Sequence, residues 1–181
     1  DDITLSSDGG DLTLTTSVPA DGDGDVILNT TNAGNVILTG TTTAAGHEVT
    51  VNSVGSISGA GLVTAATVDL NAATGIMANL AASTITADNS TSGDVDIDNA
   101  LAGAVTVSSL TTAGGGTILF ENTGAGGVSF GTVSTTGDGS PLNGEDDITL
   151  SSDGGDLTIT TSVTADGDGD VILNTTNAGN V

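Results

Sequence analysis

The chain has 181 residues and a formal net charge of −23, with no lysine, arginine or cysteine and with 1% aromatic residues. Without basic side chains we expect no binding to nucleic acid and none to anionic membrane surfaces. No apolar run reaches the roughly 18 residues of a transmembrane helix, so membrane insertion is not expected. Hydrophobic residues still make up 36% of the chain. They form short β-branched clusters, a pattern that favours strands over disorder.

A long repeat spans the whole chain. Residues 1–36 return at 146–181, where only Leu14 (now Ile159) and Pro19 (now Thr164) are replaced. We interpret residues 1–181 as one continuous segment of a tandem array. Residues 1–145 are then one long period, and residues 146–181 begin the next.

A shorter repeat divides the long one. Taken in chain order, similar four-residue strand cores begin at residues 2, 25, 48, 67, 84, 104, 127 and 147. These steps make seven units of about 21 residues, a length typical of solenoid coils. We therefore expect each period to begin in register with the last, with Ile148 stacked on Val128. Further apolar positions predict a second and a third short strand in most units, as at Leu12, Leu14 and Val18.

Each unit alternates apolar and polar residues as a strand with one buried face does. Glycine, asparagine, aspartate and serine occupy the intervening corners, as tight turns require. The pattern predicts an all-β fold, a parallel β-helix or β-solenoid that is right-handed and three-sided. A β-sandwich is the alternative, but it does not explain the short repeat. With coils about 4.8 Å apart, one period would span roughly 34 Å and carry 16 of the 23 acidic residues.

A column of small polar residues follows the first strand of successive units. Stacked amide side chains can hydrogen-bond along the axis of such a stack. The column consists of Ser6, Asn29, Asn52, Asn71, Asp88, Ser108, Gly131, Ser151 and Asn174.

Two Asp-Gly-Asp-Gly-Asp runs are the sharpest local motifs. Alternating carboxylates separated by flexible glycines suit Ca²⁺, a hard cation that takes six to eight oxygen ligands. The alternative is a plain acidic turn in solvent. The candidate Ca²⁺ ligands are Asp21, Asp23, Asp25, Asp166, Asp168 and Asp170. Ca²⁺ is the one cofactor that the sequence suggests.

Two further acidic groups could attract cations. Asp94, Asp96 and Asp98 alternate with apolar residues, so all three should face solvent on one strand. The other group is an acidic corner at residues 145–147. A solvated acidic surface is the alternative reading of both groups.

No catalytic constellation is present in the sequence. His47 is the single histidine, and no repeated serine or cysteine nucleophile accompanies it. Paired carboxylates can hydrolyse glycosides, but the chain has no tryptophan or tyrosine to stack on sugar rings and no basic residue to bind acidic ones. We therefore expect no enzyme.

Some units resemble a known family. Residues 104–112 (AVTVSSLTT), 116–120 (GTILF) and 68–76 (VDLNAATGI) are similar to the repeats of filamentous-haemagglutinin-like giant bacterial surface proteins, often labelled β-strand-repeat proteins. The resemblance implies a secreted or surface-attached right-handed β-helix shaft used in adhesion, biofilm or cell contact. The absence of lysine and arginine and the near identity of the long repeat depart from typical members. These departures favour a spacer or fibre role over receptor binding.

The sequence thus predicts a structural extracellular fibre or adhesin shaft that acts as an extended acidic spacer. Expected partners are the chain itself, through coil stacking and through lateral or end-to-end association, and cations. The alternatives are a calcium-dependent adhesion module and an ice- or surface-binding solenoid. The second alternative rests on an outward row at Thr4, Thr50, Thr86 and Thr106, which Ile27 and Asp69 interrupt.

Overall fold

The computed structural model describes residues 1–137, 146–177 and 179–181. These residues form sixteen β-strands and no helix, and every strand pairing is parallel. The strands are β1 (Ile3–Asp8), β2 (Leu12–Leu14), β3 (Val18–Pro19), β4 (Val26–Thr31), β5 (Val36–Leu38), β6 (Thr42–Asn52), β7 (Ile57–Ser58), β8 (Leu62–Ala72), β9 (Ile76–Asn89), β10 (Val95–Asn99), β11 (Val105–Ala113), β12 (Ile118–Asn122), β13 (Val128–Thr136), β14 (Ile148–Ser152), β15 (Leu157–Thr164) and β16 (Val171–Thr175).

The strands stack coil upon coil in three ladders. The first ladder follows Ile3, Val26, Val49, Val68, Ile85, Val107, Phe130 and Ile159. The second ladder follows Leu12, Val36, Ile57, Ile76, Val95, Ile118, Ile148 and Val171. The third ladder follows Val18, Thr42, Val63, Leu80, Asn99, Asn122, Ser152 and Thr175.

The predicted all-β parallel solenoid is confirmed, with about seven turns of about 23 residues each, slightly longer than the predicted 21. The buried apolar column forms because alternate residues of each strand point to opposite faces. Val26, Val49 and Val68 point inward and are fully buried, while Thr50 and Asp69, which follow the latter two, are partly exposed. Stacked parallel strands satisfy each other's backbone groups while burying a continuous apolar column.

A β-bulge shifts the register at β11. Thr84 pairs with Thr106 and Thr86 pairs with Ser109, so Ser108 is the extra residue. Before the bulge Val107 already pairs with Ile85, so the expected stacking of Val105 on Ile85 is wrong by two residues. A bulge of this kind leaves one residue unpaired and lets the strand continue on the same ladder.

The second copy of the long repeat enters the stack on a different ladder. Ile148 pairs with Ile118 of the second ladder, whereas Val128 pairs with Leu157. The expected stacking of Ile148 on Val128 is therefore wrong. The step from Ile118 to Ile148 is longer than the preceding step from Val95 to Ile118, because the connection before β14 contains more residues. One long period then corresponds to about six and a third coils, or roughly 30 Å of axis.

Two aromatic rings fill the interior near this irregular step. Phe120 lies on the second ladder and Phe130 on the first, and both are fully buried. Their ring centroids are 5.2 Å apart with an interplanar angle of 89°. Such edge-to-face contacts are favourable beyond the area that they bury.

Candidate functional surfaces

Aspartates placed directly before strands connect neighbouring coils. Asp2 Oδ1 accepts a hydrogen bond from the backbone N–H of Asp25 (3.0 Å), and Asp25 Oδ1 accepts one from Glu48 N–H (3.0 Å). Asp94 Oδ1 accepts from Thr117 N–H in the same way (2.9 Å). Sequence reasoning missed this role. The signal that could have revealed it is the regular recurrence of Asp one position before the buried alternation begins.

A second set of these bonds lies before the second strand of the repeat. Asp11 Oδ1 accepts from the backbone N–H and from the side-chain amide of Asn35 (2.8 and 3.0 Å). Asn35 Oδ1 in turn accepts from Ser56 N–H (2.8 Å). In the second copy, Asp156 Oδ1 accepts from both nitrogens of Asn180 (2.9 Å each). The repeat therefore carries its own inter-coil bonds.

The first candidate Ca²⁺ run forms an exposed turn. Asp21 and Asp23 are exposed, and Gly22 between them adopts a φ of 69°, a conformation that favours glycine. The carboxylate of Asp25 faces the next coil, where it accepts the Glu48 N–H bond described above.

The second run differs in its contacts. Asp166 Oδ2 accepts a bond from Gly137 N–H (2.7 Å), and its own N–H donates to Thr135 Oγ1 (3.0 Å). Asp168 and Asp170 are exposed. Within the described residues, no group of three or more acidic or histidine side chains is arranged to hold a metal ion. Calcium binding by these six aspartates stays a prediction.

The outer amide ladder is confirmed over three coils. Asn52 Nδ2 donates to Asn29 Oδ1 (2.9 Å), and Asn71 Nδ2 donates to Asn52 Oδ1 (3.1 Å). The column continues through Asp88 to Thr111, which takes the place expected for Ser108. Ser151 and Asn174 instead pair with each other on the second ladder.

A shallow groove runs beside the amide ladder. It has a volume of about 350 Å³, and its wall combines amides, hydroxyls and one exposed apolar side chain. The lining includes Asn52, Ser53, Val54, Asn71, Asp88 and Ser90. The groove lies beside the shortest steps of the stack, those from Val49 to Val68 and from Val68 to Ile85.

Polar side chains also enter the interior. Asn99 is fully buried, accepts a bond from Ala82 N–H (2.9 Å) and donates to Asn122 Oδ1 (3.0 Å). Asn122 donates to two backbone carbonyls of the next corner, those of Gly124 and Gly126 (3.2 and 3.1 Å). These amides satisfy backbone groups that a tight corner would otherwise bury without partners.

The acidic strand β10 has the predicted orientation. Asp94 and Asp98 are exposed and Asp96 is half-buried, while Val95 and Ile97 point inward. On the neighbouring coils Asp96 is flanked by Met77 and Leu119, which are 49% and 41% exposed. Burial, and then the neighbouring carboxylates of Asp98 and Asp94, raise the pKa of Asp96 above its ordinary value near 3.8.

The acidic corner at residues 145–147 is described in part, since Glu145 lies outside the described residues. Asp146 is buried and has a φ of 73°. Asp147 Oδ1 accepts a bond from Asp170 N–H (2.8 Å). Asp147 therefore takes the same inter-coil role as Asp2 in the first copy.

The outward threonine row is irregular. Thr4, Ile27, Thr50, Asp69 and Thr86 follow one another on the first ladder, as expected. Ser109 comes next in place of Thr106. The row is therefore made of hydroxyl side chains interrupted by one apolar and one acidic side chain.

Comparisons with protein-family models, with curated proteins and with solved structures find no match to this chain. In the part of the chain that the structure describes, no helix is long and apolar enough to cross a membrane.

Proposed function

We propose that this chain is a segment of an extracellular structural shaft, built from tandem β-solenoid repeats and used as an extended acidic spacer in surface attachment or cell contact. The observation that carries the proposal is the continuous parallel stack. Each coil is held by its neighbours through backbone pairing and through the aspartate bonds that recur in both copies. In such a stack stability is nearly additive along the axis, so the rod can lengthen by adding repeats.

The surface chemistry supports a spacer. One period carries 16 acidic residues over roughly 30 Å, or about one charge per 2 Å, close to the one per about 1.7 Å of double-stranded DNA. A rod of this charge density attracts cations and keeps neighbouring rods apart at low salt. The absence of lysine and arginine also leaves no site for trypsin-like proteases, which is an advantage outside the cell.

The length of engineered rods tests the shaft proposal. Chains with one, two and three copies of the long period would be measured by small-angle X-ray scattering and negative-stain electron microscopy. We expect a constant increase of about 30 Å per period at unchanged cross-section. A matched control with Val49→Asp and Val68→Asp places charges in the buried column and should lose the regular increase. Rods that grow in width instead of length would contradict the proposal.

A calcium-dependent adhesion module is the alternative. Its support is the recurrence of the Asp-Gly-Asp-Gly-Asp run in both copies, with Asp21 and Asp23, and likewise Asp168 and Asp170, exposed at a corner. A specific site would raise stability by mass action when Ca²⁺ is added. The melting temperature in Ca²⁺, compared with that in chelator, distinguishes this alternative from a plain acidic spacer.

A further inference from the structure

The first strand of the segment 1–36 pairs with the following coil in the same way in both copies. Ile3 pairs with Val26 in the first copy, and Ile148 pairs with Val171 in the second. The aspartate bonds described above also recur, from Asp2 to the following coil and from Asp147 to the following coil. This strand pairing and its aspartate bond are therefore retained at both places in the stack.

The two copies nevertheless lie on different sides of the rod. In the first copy the strand that begins at Ile3 belongs to the first ladder. In the second copy the equivalent strand begins at Ile148 and follows Ile118 on the second ladder. Similarly, Val18 lies on the third ladder, whereas Val163 pairs with Val133 on the first. Both positions have moved forward by one ladder, whereas Leu14 of the second ladder has its counterpart Ile159 on the first, within the continuous strand β15.

The cause is that the long sequence period does not contain a whole number of coils. Six steps along the first ladder lead from Ile3 to Phe130, and the seventh reaches Ile159. Ile148 falls between the last two, so one long period contains six coils and about one third of a turn. The longer steps at this place change the length of a connection but leave the strand pairing parallel and continuous.

We infer that successive long periods display the outward row of their first strand on successive sides of the rod, each turned by about one third of a turn. The outward row at Thr4, Ser6 and Asp8 then points in a new direction as Thr149, Ser151 and Asp153. A three-period rod would then present this hydroxyl and carboxylate row on all three of its sides. This inference rests on the proposed shaft, in which periods follow one another.

Disulfide mapping tests the inference, because the natural chain has no cysteine. Adjacent strands lie about 4.8 Å apart, within the Cα separation of about 4.4–6.8 Å that a disulfide spans. We expect the pair Leu119→Cys with Thr149→Cys to form a disulfide on mild oxidation, since these residues face each other on neighbouring coils. The pair Ser129→Cys with Thr149→Cys would form only if the copies were in register. For each pair, the loss of two free thiols measures disulfide formation, and mass spectrometry identifies the linked peptides.

A matched control is the pair Thr149→Cys with Ile172→Cys, which lies within the repeated segment and should form in either arrangement. Linkage of residues 129 and 149 without linkage of 119 and 149 would overturn the rotation but leave the shaft intact. If neither residues 119 and 149 nor the control residues 149 and 172 become linked, the coil stack itself is refuted, and with it the proposed function.

Discussion

Thr42 and Thr112 are two buried threonines for which the same substitution should have opposite effects. Thr42 is fully buried between Val18 and Val63 of the third ladder, and its hydroxyl makes no hydrogen bond within the described residues. Burying a hydroxyl without a partner costs about 1–3 kcal/mol. We expect Thr42→Val to remove that cost and to raise the free energy of unfolding by about 1 kcal/mol.

Thr112 is equally buried, but its hydroxyl is bonded. It donates to the Gly93 carbonyl (2.7 Å) and accepts from Asn89 Nδ2 (2.9 Å). At about 1 kcal/mol for each lost bond, Thr112→Val should lower the free energy of unfolding by about 2 kcal/mol. The two variants should therefore differ by about 3 kcal/mol, although each exchanges one hydroxyl for one methyl group.

Urea unfolding followed by far-ultraviolet circular dichroism measures this difference. With a slope of about 2 kcal/mol per molar urea, the midpoints of the two variants should lie about 1.5 M apart, on opposite sides of the wild type. The reasoning is refuted if Thr42→Val is no more stable than the wild type, or if both midpoints move in the same direction.

Four further predictions concern the aspartates and the exposed last coil. Asp25→Ala removes the acceptor of the Glu48 N–H and should lower the free energy of unfolding, measured in urea, by about 1 kcal/mol. Asp23→Ala at the exposed position should change it by less than about 0.5 kcal/mol. Equal effects of the two substitutions would contradict the inter-coil role of Asp25. Because the pKa of Asp96 is raised in the folded chain, its contribution to stability is fully present below pH 3.8 and is lost as the pH rises through the raised pKa. Asp96→Asn should therefore stabilise the chain at neutral pH and not under strongly acidic conditions, and a benefit that does not depend on pH would argue against this reading. If the Asp-Gly-Asp-Gly-Asp runs bind calcium, the melting temperature in Ca²⁺ should exceed that in chelator at matched ionic strength. This gain should disappear in the variant Asp21→Asn with Asp166→Asn. An equal gain in Mg²⁺ would show that the runs act only as generic charge. Finally, Val171 is 44% exposed although its counterpart Val26 is fully buried, so the isolated chain should associate end to end, and a stable monomer in light scattering would contradict this.

Much of the stack could be predicted from residue order alone. The alternation at Val26 and Leu28 places both side chains inside, because the side-chain period of a strand is two wherever the strand lies. The near equality of successive steps predicts a parallel stack, since only parallel coils bring equivalent residues such as Asn29 and Asn52 together. The outer amide ladder followed from the same spacing.

The side of the rod on which each strand lies could not be predicted in this way. A corner can take additional residues without disturbing the strands that it joins, so the spacing between Val128 and Ile148 does not reveal which ladder the second strand enters. The bulge at Ser108 has the same character, because an extra residue inside a strand leaves the pattern of apolar residues nearly unchanged. The register error at Val107 precedes this bulge, and the bulge adds one further residue to it.

The sequence by itself determined the composition of the rod, its buried columns and its parallel stacking, because these depend on residues a few positions apart and on a repeated spacing. The tertiary structure decided which ladder each copy joins and what the aspartates before the strands do. The hydrogen bond from Glu48 N–H to Asp25 Oδ1 (3.0 Å) can be recognised only from the stack, which brings these residues of neighbouring coils together. The same stack turns a nearly exact sequence repeat into two surfaces that face different sides, since the long period is not a whole number of coils.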